Sequence, residues 1–413
     1  MRRDIIVLNK GIPVDLVEAT RLTRAGRLLE ATALIQRILG HGSAGTEGAD
    51  RQASDRDSGA NDDAIDVEFA AVAEPAEHDL TPHRTVARND LSQRFGLESF
   101  LRGRRDRDPV ADTPSPQTTV VDGRPGQFVT GAYANQAGAR PYKLYIPTAY
   151  AGQALPLVVM LHGCTQTPDD FANGTRMNAL AEEWQCLVLY PEQTRAANHS
   201  RCWNWFKRGD QRRDRGEPAI LAGMTREVMN RYRIDPAKVY VAGLSAGGAM
   251  AAVLGAAYPE LYAAVGVHSG LASGSAHDLP SAFAAMRGKM ADRNAESTPR
   301  ATATPTIVFH GDRDKTVHPL NSKQVVSQSM EKNDASSADA STLRGQVPGG
   351  HAYTRTVHRD STGRVVVEHW LVHGGGHAWF GGSPHGSYVD PKGPDAAREM
   401  IRFFYQNTLE QRS

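Results

Sequence analysis

The chain has 413 residues and a net charge of only +1, with 47 Lys and Arg against 46 Asp and Glu, which excludes electrostatic capture by nucleic acid or an anionic membrane as its main role. No stretch approaches the roughly 20 apolar residues of a membrane span, and three cysteines are too few for a disulfide scaffold. The length and uneven composition suggest one large catalytic domain, residues 121–413, behind a helical segment, residues 1–40, and a low-complexity linker, residues 41–120.

The first ten residues have a basic start but a single short apolar core, Ile5 to Leu8, below the roughly 7 to 15 residues of a secretory leader. The direct reading is therefore cytoplasmic, or export by a route that needs no such leader. An apolar stripe comes next at Leu16, Ala19, Leu22, Leu28, Ala31, Leu34, Ile35, Ile38 and Leu39, interrupted at Gly26 and closed by Gly40. It predicts two short amphipathic helices, or one bent helix, whose apolar face needs cover from the catalytic domain, a second copy or a partner. From Gly40 to Asp90 the chain is rich in Gly, Ala, Ser, Asp and Glu and cannot bury enough surface to order itself. Ser92 to Leu101 predicts another short helix. Arg102 to Pro109 reads as a solvated charged linker, its arginines interleaved with aspartates.

Folded structure is expected from about Gly126. Phe128 to Tyr133 and Arg140 to Ile146 read as antiparallel edge strands joined by a turn around Asn135 to Gly138. Apolar runs, as expected for strands buried on both faces, recur at Leu155 to Leu161, Cys186 to Tyr190, Val239 to Ala242, Ala263 to Val267 and Thr306 to Phe309. Helical patterns separate them at Asn178 to Trp184, Ile220 to Tyr232, Ala246 to Tyr258 and Lys323 to Lys332. A last strand pair, Thr354 to His358 and Val365 to Val372, and a terminal helix, Asp395 to Leu409, complete the set. This alternation implies an α/β fold with a mainly parallel sheet and helices on both faces, its site at the carboxyl ends of the strands.

The loops that leave those strand ends carry the chemistry. Gly243-Leu244-Ser245-Ala246-Gly247 lies between a strand and a small-residue helix, the setting of a nucleophile elbow, with Ser245 in a strained turn. After Leu161 comes His162-Gly163-Cys164-Thr165-Gln166, and the backbone N–H groups of Cys164 and Ala246 are assigned as the donors for a developing oxyanion. His162 is read as a hydrogen-bonded loop histidine. After Phe309, Asp312 and Asp314 compete to orient the base; Asp314, farther into the loop, is preferred, while Asp312 beside Arg313 suits a turn. After Val372, His373-Gly374-Gly375-Gly376-His377 makes His377 the expected general base and His373 a strand-end histidine. A zinc pair at i and i+4 needs a helix, which three glycines oppose, so neither metal nor organic cofactor is expected. The order Ser245, Asp314, His377 is that of α/β-hydrolases.

Trp203, Trp205 and Trp379 are candidates to line an apolar cleft for the acyl or polyester chain, the competing reading being that these aromatics anchor their loops to the core. Buried free thiols are the default for Cys164, Cys186 and Cys202; Cys164 and Cys202 are the pair placed near the site and the first to test for a bridge.

From about Arg140 to the C-terminus the chain resembles the polyhydroxybutyrate depolymerase family of esterases, a branch of the α/β-hydrolases similar to feruloyl and acetyl xylan esterases. The likeness rests on Leu161-His-Gly-Cys-Thr-Gln166, Cys202-Trp-Asn-Trp-Phe206, Gly243-Leu-Ser-Ala-Gly-Gly248, His310-Gly-Asp-Arg-Asp314 and Gly375-Gly-His-Ala-Trp379. It implies an α/β-hydrolase fold, a nucleophile at Ser245, an acid at Asp314, a base at His377, an oxyanion loop at Cys164, and an ester or polyester substrate in the extracellular space. Without a polymer-binding domain after the terminal helix, soluble oligoesters or small esters are the expected substrates. A feruloyl or acetyl xylan type esterase is the nearest alternative. A non-catalytic granule-binding or adapter protein is the alternative of another class.

Overall fold

The structure, a computed structural model, describes residues 126–289, 304–333, 335 and 340–409; the apolar stripe, the low-complexity stretch and the charged linker of the first 120 residues lie outside them. Ten strands form one sheet: β1 (Gln127–Asn135), β2 (Gly138–Ile146), β3 (Leu155–Leu161), β4 (Leu187–Pro191), β5 (Ile234–Leu244), β6 (Ala264–His268), β7 (Thr306–Gly311), β8 (Ser341–Gln346), β9 (Ala352–Arg359) and β10 (Val365–Val372). Their order is β1-β2-β4-β3-β5-β6-β7-β10-β9-β8. The centre, from β4 through β10, is parallel, and antiparallel strands close both edges. The helices are α1 (Pro168–Thr175), α2 (Met177–Trp184), α3 (Gly216–Arg231), α4 (Ala246–Ala257), α5 (Leu279–Met286), α6 (Leu320–Asn333) and α7 (Ala396–Tyr405). This is the mainly parallel sheet expected from the alternation, in the α/β-hydrolase arrangement that the resemblance implies.

The continuous apolar runs exist because both sheet faces are covered. All of β3 is buried. Leu157, Val159 and Leu161 enter a core with Leu221, Met224 and Val228 of α3 and Met250 and Leu254 of α4. Their neighbours Val158 and Met160 point the other way, into a core with Phe171 of α1, Leu180 of α2 and Met400 and Phe404 of α7. Asp395 caps α7 by accepting the Arg398 N–H at 3.0 Å, and Phe404 stacks on Tyr240 of β5 with ring centroids 4.9 Å apart.

Three of these strands and helices escaped the sequence pattern. The helix α1 carries Asn173-Gly174 inside it but is started by Thr167, whose side chain accepts from the Asp170 N–H, with Pro168 in the next position. A capping box between Asp278 and Ser281 starts α5. Strand β8 is exposed along nearly its whole length and shows no alternation; its ladder with β9 alone makes it a strand.

Register sets what meets at the carboxyl edge. Leu161 pairs with Gly243, Leu244 with His268, His268 with Phe309 and Gly311 with Val372. The loops after β3, β5, β6, β7 and β10 therefore leave the sheet side by side.

Candidate active site

Ser245 occupies the single residue between β5 and α4, at φ 57° and ψ −118°. A non-glycine residue there stores on the order of 1–3 kcal/mol of strain. The turn is held by the Ser245 N–H donating to His268 O at 2.9 Å and by Ser245 O accepting from the Ala249 N–H at 2.9 Å. The flanking glycines are needed for close approach: a Cβ on Gly243 would lie 2.4 Å from the Gly247 carbonyl carbon, and one on Gly247 would lie 2.1 Å from Leu161 O. The elbow is thus pressed against the end of β3.

Asp314 and His377 meet. The His377 Nδ1–H donates to Asp314 Oδ2 at 2.7 Å; because a carboxylate only accepts, the proton is on Nδ1 and the Nε2 lone pair is left free. The carboxyl is buried, and Oδ1 accepts from the N–H groups of Thr316 at 2.9 Å and Val317 at 2.8 Å. His310 Nε2, donating to Val317 O at 2.8 Å, also lies 3.3 Å from Oδ2. Burial pushes this carboxyl upward, but the hydrogen bonds from His310 and His377 and the Val317 amide outweigh it and hold Asp314 well below its usual range. Gly311 allows the two loops to touch, since a Cβ there would lie 2.2 Å from Gly375 O. Among the described residues, neither the Ser245 hydroxyl nor His377 Nε2 has a hydrogen-bond partner.

Asp312 lies, as expected, in a turn, closed by the Asp314 N–H donating to Gly311 O at 3.3 Å, but its side chain reaches out of it. Its Oδ2 accepts from His373 Nδ1 at 2.9 Å and its Oδ1 from the Gly374 N–H at 2.7 Å, so it fastens the start of the loop that carries His377. His373 is, as expected, at the strand end, its Nε2 against Thr354 Oγ1 at 2.8 Å.

The loop after β3 corrects the cysteine expectation. Cys164 and Cys202 form a disulfide across a separation of 38 residues; Cys186 is the buried free thiol. The default failed because a 38-residue excursion brings Cys202 back beside the loop, which spacing alone does not reveal. Trp203 continues the clamp: fully buried, it donates from Nε1 to His162 O at 3.1 Å and tilts against the His162 ring. Trp205 is nearly buried and packs edge-on against Phe206. Beneath them the buried Glu217 carboxylate, for which the sequence pattern offered no sign, accepts from the Asn204 N–H and from Asn204 Nδ2, both at 2.7 Å, and from Gln193 and Arg140. All three candidate cleft tryptophans are core residues, in keeping with the anchoring alternative; Trp379 stacks on His268 at 4.9 Å and meets Phe171 edge-on. His162 donates from Nδ1 to Gly163 O at 2.8 Å and accepts the Gln193 N–H on Nε2 at 3.1 Å, leaving it no free nitrogen to act as a base.

If the Cys164 N–H receives an ester oxyanion, as the resemblance implies, Cys202→Ser should lower kcat on p-nitrophenyl acetate by about tenfold, because that N–H would no longer be held in register. The chain-entropy account adds a stability loss of about 4 kcal/mol for the opened loop. Rate and thermal unfolding, measured with and without a phosphine reductant on the parent, check this; an unaltered rate on reduction refutes the positional role.

The end of β6 supplies a residue that the motifs did not single out. His268 is fully buried, receives the Ser245 N–H on its carbonyl, and accepts the Phe380 N–H on Nε2 at 3.1 Å. It therefore ties the elbow to the segment just beyond His377. The signal was available: a histidine at the carboxyl end of a parallel strand, like those at the ends of β3, β7 and β10.

Burial drives His162 down to about 4, His369 down to about 4, and His268 well below its ordinary value of 6.5. All three are neutral when folded and take up protons on unfolding. Their stabilisation is therefore complete above about pH 6.5 and is lost as pH falls from there toward 4. Glu217, raised by burial, works in the opposite sense, one group against three. Urea unfolding at pH 7.5 and 4.5 should differ by several kcal/mol, at roughly 1.4 kcal/mol per pKa unit; equal or greater stability at pH 4.5 contradicts it.

The chain is similar to known proteins in sequence and in fold. Residues 140–347 match the family model described as esterase PHB depolymerase. The poly(3-hydroxyalkanoate) depolymerase C of Paucimonas lemoignei is 31% identical over 258 residues, 60% of this chain and 58% of that protein. The probable acetylxylan esterase A of Neosartorya fischeri is 29% identical over 210 residues, 47% of this chain and 56% of that protein. The chain thus spans less than three fifths of these relatives' length. Among solved structures, the acetyl xylan esterase from Aspergillus awamori superposes with a TM-score of 0.53 at 20% identity, covering 68% of this chain and 99% of that one, which is a likeness of fold.

Proposed function

Because the chain belongs to the PHB depolymerase family of esterases, we propose that it is a serine hydrolase of carboxylic esters, acting on poly(3-hydroxybutyrate)-type polyester or its oligomers. Ser245 Oγ attacks the ester carbonyl carbon and His377 Nε2 takes its proton. Asp314 holds the Nδ1–H and stabilises the imidazolium. The N–H groups of Cys164 and Ala246 receive the oxyanion. His377 then protonates the departing alcohol; water, deprotonated by the same nitrogen, attacks the acyl-enzyme and releases the acid and Ser245. The observation that carries the reading is the buried Asp314–His377 hydrogen bond on loops that leave the sheet beside the strained Ser245.

Similarity to an acetylxylan esterase over about half of the chain supports a second reading, deacetylation of plant polysaccharide. Hydrolysis of 3-hydroxybutyrate oligomers, acetylated xylan, methyl ferulate and p-nitrophenyl acetate separates them. The first reading expects the oligomers to have the highest kcat/KM, and preference for xylan acetate or ferulate overturns it. A fluorophosphonate probe that leaves Ser245 unlabelled favours a non-catalytic adapter instead.

A further inference from the structure

Tyr388 is exposed to 48% and yet pinned at both ends. Its carbonyl accepts the Trp379 N–H at 2.7 Å in the small ladder of Trp379–Phe380 with Val389–Asp390. Its predecessor is fixed to α1 and to the loop after β3: the Ser387 N–H donates to Asp170 Oδ1 at 2.9 Å, and Gln166 Nε2 donates to Ser387 O at 3.1 Å. Beyond it, His351 Nε2 pairs with Asp390 Oδ2 at 2.8 Å. The Tyr388 hydroxyl lies 3.1 Å from Thr165 Oγ1. Thr165 spends its single proton on Cys164 O at 2.6 Å, so the phenol is the donor of the pair. Both Thr165 and Tyr388 have positive φ, 68° and 52°, a conformation in which bulky residues are uncommon and strained.

The ring therefore stands between two segments of the site, with its hydroxyl one residue from the Cys164 N–H and its backbone bonded two residues beyond His377. A role as a loop staple accounts for the hydroxyl and the backbone bonds. It does not account for an aromatic face held open to solvent at the cost of backbone strain. A ring tethered through its hydroxyl and its backbone loses little entropy when a ligand packs on it.

We propose that Tyr388 is a specificity-determining residue of the ester site: its ring is the apolar wall against which the methyl-branched aliphatic chain of a hydroxyacyl ester lies. This rests on the serine-hydrolase reading above. An acetyl group has a single carbon beyond the carbonyl and little to lay on such a face, so the wall selects for longer acyl chains.

The test compares kcat/KM for the 3-hydroxybutyrate trimer and p-nitrophenyl acetate in the parent, Tyr388→Ala and Tyr388→Phe, with fluorophosphonate labelling of Ser245 to count intact sites. The ratio of the two constants does not depend on the fraction of folded enzyme. It should fall about tenfold in the alanine variant, a step typical of a lost apolar contact, and stay within about threefold of the parent in the phenylalanine variant. Should the alanine variant yield no labelled enzyme, Tyr388→Asn, which suits the positive φ of this position and has no aromatic face, takes its place with the same expectation. An unaltered ratio, whether both activities fall together or neither falls, overturns the inference while leaving the hydrolase reading standing. A parent active on neither ester overturns both.

Discussion

Replacing Ser245 with alanine should reduce ester hydrolysis by roughly 10⁴-fold or more, with KM little altered, because the variant loses the attacking oxygen and nothing that binds substrate. The fold should survive. Alanine has no larger side chain than serine, the backbone bonds to His268 and Ala249 involve main-chain atoms alone, and the hydroxyl has no partner among the described residues whose loss would leave a buried group unpaired. Thermal unfolding should therefore stay within about 1 kcal/mol of the parent. The strain at φ 57° is the same for both residues. Hydrolysis by the variant at a tenth of the parent rate or more would remove Ser245 from the mechanism and leave the elbow as a packing device.

The second large effect is expected at Asp314. Substituting asparagine keeps the shape but puts an amide where a carboxylate accepts from His377 at 2.7 Å and from the Thr316 and Val317 N–H groups. If the amide oxygen keeps the two backbone donors, its NH₂ faces His377, which must then accept on Nδ1 and carry its proton on Nε2. That tautomer cannot take the serine proton, and a fall in kcat of about 10⁴ is expected, with KM nearly constant. The neighbouring Asp312→Asn is the control. Asp312 holds His373 and the Gly374 N–H, a step back along the loop, and its loss should cost less than about tenfold through looser positioning of His377. Comparable losses at both positions would mean that the loop, and not the tautomer, is what Asp314 governs. Since Asp314 is held well below its ordinary value of 3.8, its contribution to stability is present above about that pH and is lost only as pH falls toward the lower folded value. Activity lost between about pH 6 and 4.5 would thus not report protonation of this carboxyl.

Short-range patterns were enough to establish the layered sheet and the strand ends from which chemistry is presented. Apolar runs such as Leu155 to Leu161 are legible because a strand covered on both faces needs no polar residue, and glycines such as Gly243 and Gly247 mark where backbones touch. These are properties of a few consecutive residues. The preference for Asp314 over Asp312 also came from distance along one loop, and the structure joins Asp314 to His377. Features that depend on returning segments emerged only in three dimensions. Folding closed the Cys164–Cys202 bridge, seated Glu217 under Asn204, paired Asp312 with His373, and made His268 a tie between the elbow and Phe380. It also buried Trp203, Trp205 and Trp379 while leaving Tyr388 open. One cause is common to all of these. Whether an aromatic ring lines a cleft or fills a core, and whether a thiol or carboxylate finds its partner, is settled by what packs against it, and here that neighbour is brought by the fold from elsewhere in the chain, 13 residues away for Glu217 and 112 for His268.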